Sequence, residues 1–458
     1  MLVLAIGVSW WFGGQSPGAR VALALWGSVG IALFLILASR RELRPASPLV
    51  LHLAPLLLFD ILVVTGCLNP STRTMLRDGE SFLVHLEPRW AWLPSSARPD
   101  LSWRELWQFN GIVLSCYNVC LAVRSRAQLR RLLYALGANV LALAVLGTFQ
   151  KLAGSKGIWF GLVDVPQPYF FATFVYHNHW GAFILLHVAA CAALFHRALN
   201  RGEYRDRWHS PLPAAAVAVL LIAATAPLSG SRSTTVLMAG LLAVLVARNL
   251  LRLVRRQRER RAGILLPAGA LVLVVLLATA AIGYLSRDVI AARWRTTSEQ
   301  LAGLRSEDRP STRIQLYRDT WRMAMERPVF GWGLESFGDV FQIYNTQRAQ
   351  ELWFGQRVFR EAHNDWLQML AEVGVAGSAC LIALGAAPFL VARGRRRHSA
   401  LTRHLLAGCV IVLAYAWVEF PLANPSVMTT FWLLLYVAAR HACLDAPVTS
   451  RQEDTNDA

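Results

Sequence analysis

His363, Asn364 and Asp365 stand where a polar, basic stretch beginning at Arg360 runs without interruption into an apolar segment ending near Leu390. A neutral imidazole near pH 7 can take a proton from a hydroxyl, and this one would do so where a membrane helix meets water. A histidine there could also cap the helix or touch lipid headgroups. Arg232 lies in the tight turn Leu228-Ser229-Gly230-Ser231-Arg232-Ser233, and Ser233, Thr234 and Thr235 open the next apolar segment. Free N–H groups at a helix N-terminus plus a guanidinium make an anion site. A lipid diphosphate is the obvious anion there, with phospholipid headgroups as the plainer occupant.

Arg313, Arg318, Arg322 and Arg327 share one stretch of the longest hydrophilic segment, Ser286 to Ala362. Arg313 is singled out because it falls in a first helical turn, beside Pro310-Ser311-Thr312, where a cation opposes the helix macrodipole. Arg322 and Glu326 are four apart, the spacing of an intrahelical ion pair. His177-Asn178-His179 forms a second polar cluster. H-x-H can ligate a metal, but no further Cys, His or carboxylate lies near it in sequence, so no metal is assigned. Asp60 and Glu419 fall inside apolar segments, where carboxylates are costly and often functional. Neighbouring helices could equally satisfy them, and neither is given a role.

The elements that must position these groups are apolar helices. The chain has 458 residues, 55% hydrophobic and 16% charged. Apolar runs at roughly 1–12, 21–38, 49–66, 106–123, 131–149, 174–195, 212–228, 234–247, 264–285, 364–391, 404–419 and 426–443 suit a ~30 Å hydrocarbon core. The first is short and reaches only ~18 Å, and it ends in Trp10-Trp11-Phe12-Gly13-Gly14 rather than a small-residue cleavage site. The expected fold is all-α, a bundle of about twelve transmembrane spans with a large, mostly helical outer loop between spans nine and ten. Its parts are 1–285 (spans one to nine), 286–362 (the large outer loop), 363–445 (spans ten to twelve) and 446–458 (a disordered cytoplasmic tail).

The net charge of +18 follows this topology. Arginines cluster in alternate short loops, at Arg40/Arg41/Arg44, Arg124 to Arg131, Arg197 to Arg207, Arg248 to Arg261 and Arg393 to Arg403. That pattern marks the cytoplasmic side and places both termini there, with no need of a nucleic-acid partner. The seven cysteines fall within spans or at their ends and read as small buried residues. A nucleotide-binding loop of the G-x-x-x-x-G-K-[ST] or G-x-G-x-x-G kind is absent, as is D-x-D, and the short cytoplasmic loops leave no room for a nucleotide-binding domain. Four outer segments remain: Leu68–Glu105, rich in Trp and Pro; Lys151–Tyr169, ending Pro166-Gln167-Pro168-Tyr169; the Arg232 turn; and 286–362. In the last, Asp308-Arg309-Pro310-Ser311-Thr312 signals a helix start, Arg313 to Arg327 follows at helical spacing to Pro328, and a shorter helix is expected over Glu335 to Tyr344. On the tenth span, helical spacing puts His363, Leu367, Leu370, Gly374 and Gly377 on one stripe.

Several of these pieces together resemble the O-antigen ligase family, which comprises O-antigen ligases, O-antigen and exopolysaccharide polymerases and related protein glycosyltransferases. They are Ser229-Gly230-Ser231-Arg232; Ser311-Thr312-Arg313 through Trp321, with Arg327-Pro328-Val329-Phe330-Gly331-Trp332-Gly333; and Ala362-His363-Asn364-Asp365-Trp366-Leu367-Gln368 through Gly377. Phe174-Val175-Tyr176-His177-Asn178-His179-Trp180-Gly181 looks like the family's aromatic-Asn-x-His/Asn segment. The resemblance spans about residues 170–380. It implies a glycosyltransferase of the bacterial inner membrane, working in lipopolysaccharide or other surface-polysaccharide synthesis without metal or cofactor. The donor would be a glycan on undecaprenyl diphosphate. The acceptor would be a hydroxyl on another glycan, on lipid A–core or elsewhere, so ligase and polymerase both stay open. Arg232 and Arg313 would hold the diphosphate and His363 would orient or deprotonate the acceptor. Arg322, Asn364, Asp365, Asn178 and Ser231 are the expected substrate contacts. A twelve-span transporter or flippase of lipid-linked glycans is the alternative.

Overall fold

The computed structural model describes the chain apart from residues 40–46, 78–79, 166–168, 201–210, 260, 262, 264, 292–293, 296–297, 299–311, 347–358, 395–398 and 445–458. Each of the twelve apolar runs coincides with a helix: α1 (Leu2–Trp10), α2 (Pro17–Ser39), α3 (Ser47–Leu68), α4 (Pro99–Ala122), α5 (Arg126–Leu152), α6 (His177–Asn200), α7 (Pro211–Leu228), α8 (Arg232–Glu259) and α9 (Leu265–Leu285), then α12 (Asp365–Gly394), α13 (Ala400–Tyr415) and α14 (Pro425–Leu444). Between α9 and α12 the described residues include two polar-faced helices, α10 (Thr312–Glu326) and α11 (Phe337–Tyr344). By length and composition, six helices among the described residues can cross a membrane: α2, α5, α6, α8, α12 and α14. Leu53–Leu68, Ala214–Leu228 and Ala400–Tyr415 are shorter apolar helices. The chain is therefore an all-α membrane protein in its main body.

α6 and α14 form the centre. Their apolar windows are each 78% buried, with Trp180, Phe183, Leu433 and Tyr436 fully enclosed in one large hydrophobic core. The purely helical expectation needs one correction. Leu68–Glu105 contains an antiparallel hairpin, β1 (Thr72–Arg77) on β2 (Glu80–His85), with Thr72 opposite His85 and Arg77 opposite Glu80.

α10 and α11 make a lid with its own small core of Leu316, Met323, Trp332, Phe337 and Phe341. Arg327 fastens it to the hairpin segment. Its guanidinium lies 3.9 Å from the Trp332 ring centroid and donates to Ser71 Oγ and Ser95 Oγ at 3.0 Å each. The helix-start signal at 308–311 lies outside the described residues. The second lid helix begins at Phe337 rather than Glu335. Arg322 pairs with Asp319 at 3.5 Å instead of Glu326, while Glu326 accepts a hydrogen bond from Tyr344 Oη.

The lid is stitched into α12 through a break in that helix. Gly374 sits at φ +62°, ψ −169°, a conformation essentially reserved for glycine. The backbone of Pro328–Gly333 fills the gap. Val375 N donates to Pro328 O (2.8 Å), Ala376 N to Val329 O (3.0 Å), Trp332 N to Ala371 O (3.0 Å) and Gly333 N to Glu372 O (2.8 Å). A Cβ on Gly374 would meet Val329 O at 2.4 Å, and one on Gly331 (φ +71°) would meet Glu372 O at 2.4 Å. The two glycine-containing motifs are therefore halves of one joint. The continuous stripe expected from His363 to Gly377 is interrupted at Gly374, and His363 itself precedes α12 by two residues. Glu419 also moves relative to expectation. α13 ends at Tyr415, so the carboxylate lies in the following turn and not within a span. Asp60 is satisfied by Asn110 Nδ2 at 2.9 Å.

Candidate active site

Three segments far apart in sequence meet at one end of the bundle. The turn after α13 carries Glu419, the residues before α12 carry His363, and the first turn of α10 carries Arg313. Arg313 Nη2 donates to Glu419 Oε1 at 2.5 Å, and His363 Nδ1 lies 3.3 Å from Glu419 Oε2. Arg313 Nη1 also donates to Val418 O at 3.3 Å. The Glu419 side chain is 3% exposed, His363 28% and Arg313 50%. A buried carboxylate thus holds two partly exposed groups. Burial pushes the Glu419 carboxyl up, but the His363 contact and the Arg313 charge outweigh it and hold the acid below its ordinary value.

The backbone explains why His363 stays in place. Its φ of +51° is uncommon for a residue with a Cβ. Its carbonyl accepts from Tyr317 Oη of α10 at 2.9 Å. Immediately after it, Asn364 Oδ1 accepts from Leu367 N at 3.0 Å, a helix N-cap. Asp365 N donates to Ala416 O at 2.9 Å and Asp365 Oδ2 accepts from Leu422 N at 2.9 Å. Asn364 and Asp365, expected as substrate contacts, therefore start α12 and pin it to the Glu419 turn. Gln368 adds a further tie, accepting from Ala362 N at 2.9 Å and donating to Glu361 Oε2 at 2.9 Å.

A second chain of hydrogen bonds brings in α6 and α8. Ser231 Oγ donates to Asn178 Oδ1 (2.6 Å), Asn178 Nδ2 to Tyr176 Oη (2.7 Å), and Tyr176 Oη to Glu419 Oε2 (3.2 Å). Thr234 Oγ1 donates to Tyr415 Oη at 3.3 Å. Phe420 is the shared wall: Tyr176 stacks on it with centroids 5.3 Å apart, and His363 and His179 meet it edge-on at 4.7 and 5.0 Å. Asn178 and Ser231 are buried, so they order the network rather than face solvent. Arg232 follows Ser231 as the first residue of α8, with its side chain exposed at this end of the bundle. Arg322 stands apart. It is nine residues from Arg313, about 180° around α10 at 100° per residue, and is 64% exposed beside Asp319.

His177 and His179 point apart on α6. His177 Nδ1 lies 3.2 Å from Tyr169 O, while His179 is buried against Phe420. Beside the site runs an apolar cavity of about 440 Å³, walled by Phe59, Phe109, Met369, Phe389 and Trp432 and reaching the site at Asp365 and Leu422.

Sequence reasoning did not connect Glu419 with Arg313 and His363, and it did not single out Tyr415 or Phe420. The available signal was a lone carboxylate closing an apolar run, with nothing local to say what it served.

A search of curated proteins finds no match to the chain. Residues 217–382 match the family model described as O-antigen ligase, a stretch that includes Ser231, Arg232, Arg313 and His363 and ends before Glu419. Over those residues the chain is similar to the O-antigen ligase family.

Proposed function

We propose that the protein transfers a glycan from undecaprenyl diphosphate to an acceptor hydroxyl at the periplasmic face of the inner membrane, as a ligase or polymerase of surface polysaccharide. One observation carries the reading: Glu419 joins Arg313 and His363. Glu419 against Nδ1 favours the tautomer with its proton there, leaving Nε2 to receive the acceptor proton. As the acceptor oxygen bonds to the anomeric carbon, the bond from that carbon to the diphosphate oxygen breaks and the lipid diphosphate leaves. Its added charge falls to the remaining N–H groups of Arg313, with Arg232 on the same anion. Asn178, Ser231, Asn364 and Asp365 hold this arrangement in register. The apolar cavity suits the polyprenyl chain. The described lining of that cavity includes Glu105, Glu335 and Glu372 but no Arg or Lys, which favours the arginine side for the diphosphate. The alternating arginine-rich loops support this reading: with twelve spans and both termini cytoplasmic, the site would face outward.

The test is a liposome assay with undecaprenyl-diphosphate oligosaccharide, offered alone or with lipid A–core. Glycan on lipid A–core makes the protein a ligase, and a ladder of longer lipid-linked chains makes it a polymerase. Substrate moved across the bilayer without transfer, and unchanged by Arg313→Ala, would replace the reading with transport.

A further inference from the structure

The far end of α8 holds a second feature that the transfer reaction does not use. Arg232 and Arg252 are separated by about 30 Å of helix at 1.5 Å per residue, the thickness of a hydrocarbon core. There α6, α7, α8 and α13 enclose a cavity of about 420 Å³, within the range of small-ligand pockets. Its deeper wall is apolar, formed by Phe195, Val219, Leu220, Leu242 and Leu245. Its other end carries Arg248 and Arg252, one helical turn apart on the same face of α8, with His196 and His404. Arg252 Nη1 lies against the His196 ring, and the His196 and His404 rings are 5.3 Å apart. Among the described residues lining the cavity there is no Asp or Glu.

We propose that this cavity binds an anionic phospholipid, with one acyl chain along the apolar wall and the phosphate against Arg248 and Arg252. An apolar slot ending in three guanidinium groups, those of Arg248, Arg252 and Arg256, is complementary to an anionic amphiphile, and basic pockets between membrane helices bind such headgroups. A soluble phosphate would leave the apolar wall uncovered. A zwitterionic lipid would bring its own cation into the arginine cluster. The slot opens among apolar helices, where lipid is the available partner.

The test uses the full-length protein, delipidated in mild detergent and titrated with dioleoyl-phosphatidylglycerol or dioleoyl-phosphatidylcholine, with bound lipid counted by native mass spectrometry. Phosphatidylglycerol is expected to bind about 30-fold more tightly, the preference two arginine contacts would supply. Arg248→Gln/Arg252→Gln abolishes the preference. Leu245→Trp, which fills the slot and keeps both charges, removes the tight adduct. Arg255→Gln/Arg258→Gln, on residues that line no part of the cavity, leaves it intact. Equal binding of the two lipids, equal losses in both arginine pairs, or unchanged binding in Leu245→Trp would each overturn the proposal. If the Arg248/Arg252 variant does not fold, Leu245→Trp and the Arg255/Arg258 pair still decide it.

Discussion

At the N-terminal end of α8, arginine and histidine side chains meet on a buried carboxylate, whereas at its C-terminal end arginines and histidines crowd a cavity whose described lining has none. Residue types are similar at the two ends. What differs is whether a carboxylate stands among the described residues around them. Glu419 holds both partners through its two oxygens, which suits groups that must act on a substrate at set distances. The opposite end keeps cations together beside an apolar slot, which suits capture of an anion from outside.

The largest effects should come from breaking the first arrangement. Arg313→Ala and His363→Ala are each expected to lower glycan transfer at least ~100-fold, the usual scale for losing charge stabilisation or a general base. Transfer rates in liposomes, with insertion checked by detergent extraction, measure this. Near-normal rates in both would remove the proposed site.

A comparable loss with a different cause is expected at the joint between lid and α12. Gly374→Ala forces a Cβ onto the Val329 carbonyl in a backbone conformation alanine does not adopt. It should lower the melting temperature as well as transfer, whereas His363→Ala lowers transfer alone. Thermal unfolding in detergent separates the two.

Neutralising the opposite end sharpens the contrast. Arg248→Gln/Arg252→Gln should keep transfer within about threefold of wild type, as expected for sites far apart that share no partner. A loss as deep as that of Arg313→Ala would mean the ends are coupled.

The smallest effect concerns Glu361, a carboxylate at the site end whose burial the Arg20 charge offsets only in part. Burial pushes the Glu361 carboxyl up to about 8, Glu335 adds to the shift, and the hydrogen bond from Gln368 opposes it. Its folded value thus lies above the ordinary 4.5. The folded state holds this proton more tightly, so stability is fully present below the ordinary value and is lost as pH rises through about 8. Glu361→Gln should therefore melt a few degrees above wild type at pH 9 and lose that advantage near pH 4. A pH series of melting curves reads this directly. Glu419, held below its ordinary value by its two partners, should behave in the opposite sense.

Much of the fold was legible because apolar length and helical spacing are local properties. All twelve apolar runs coincide with helices, and α10 ends within one residue of expectation. The errors share a cause. The α13 boundary was drawn late because Trp417 and Val418 are apolar, yet both are exposed beyond the helix end. The break at Gly374 was invisible because apolar residues continue across it, and what fills the gap lies more than forty residues earlier. The hairpin at Thr72–His85 lacks a clean apolar–polar alternation. In the site, Arg313 could be singled out because a cation in a first helical turn opposes the macrodipole, and His363 because it stands where a polar stretch meets an apolar run. Glu419 could not be given a role, because its partners stand 56 and 106 residues away. Only the packing of α10, α12 and α13 brings them together.

The most direct test of the central claim is a double-mutant cycle on transfer rate with Glu419→Ala, His363→Ala and the two combined, measured under single-turnover conditions. If Glu419 acts by holding His363, the double variant should lose no more than about threefold beyond the worse single variant. Losses that multiply in full would mean that the two residues work independently and that Glu419 is not the hub of the site.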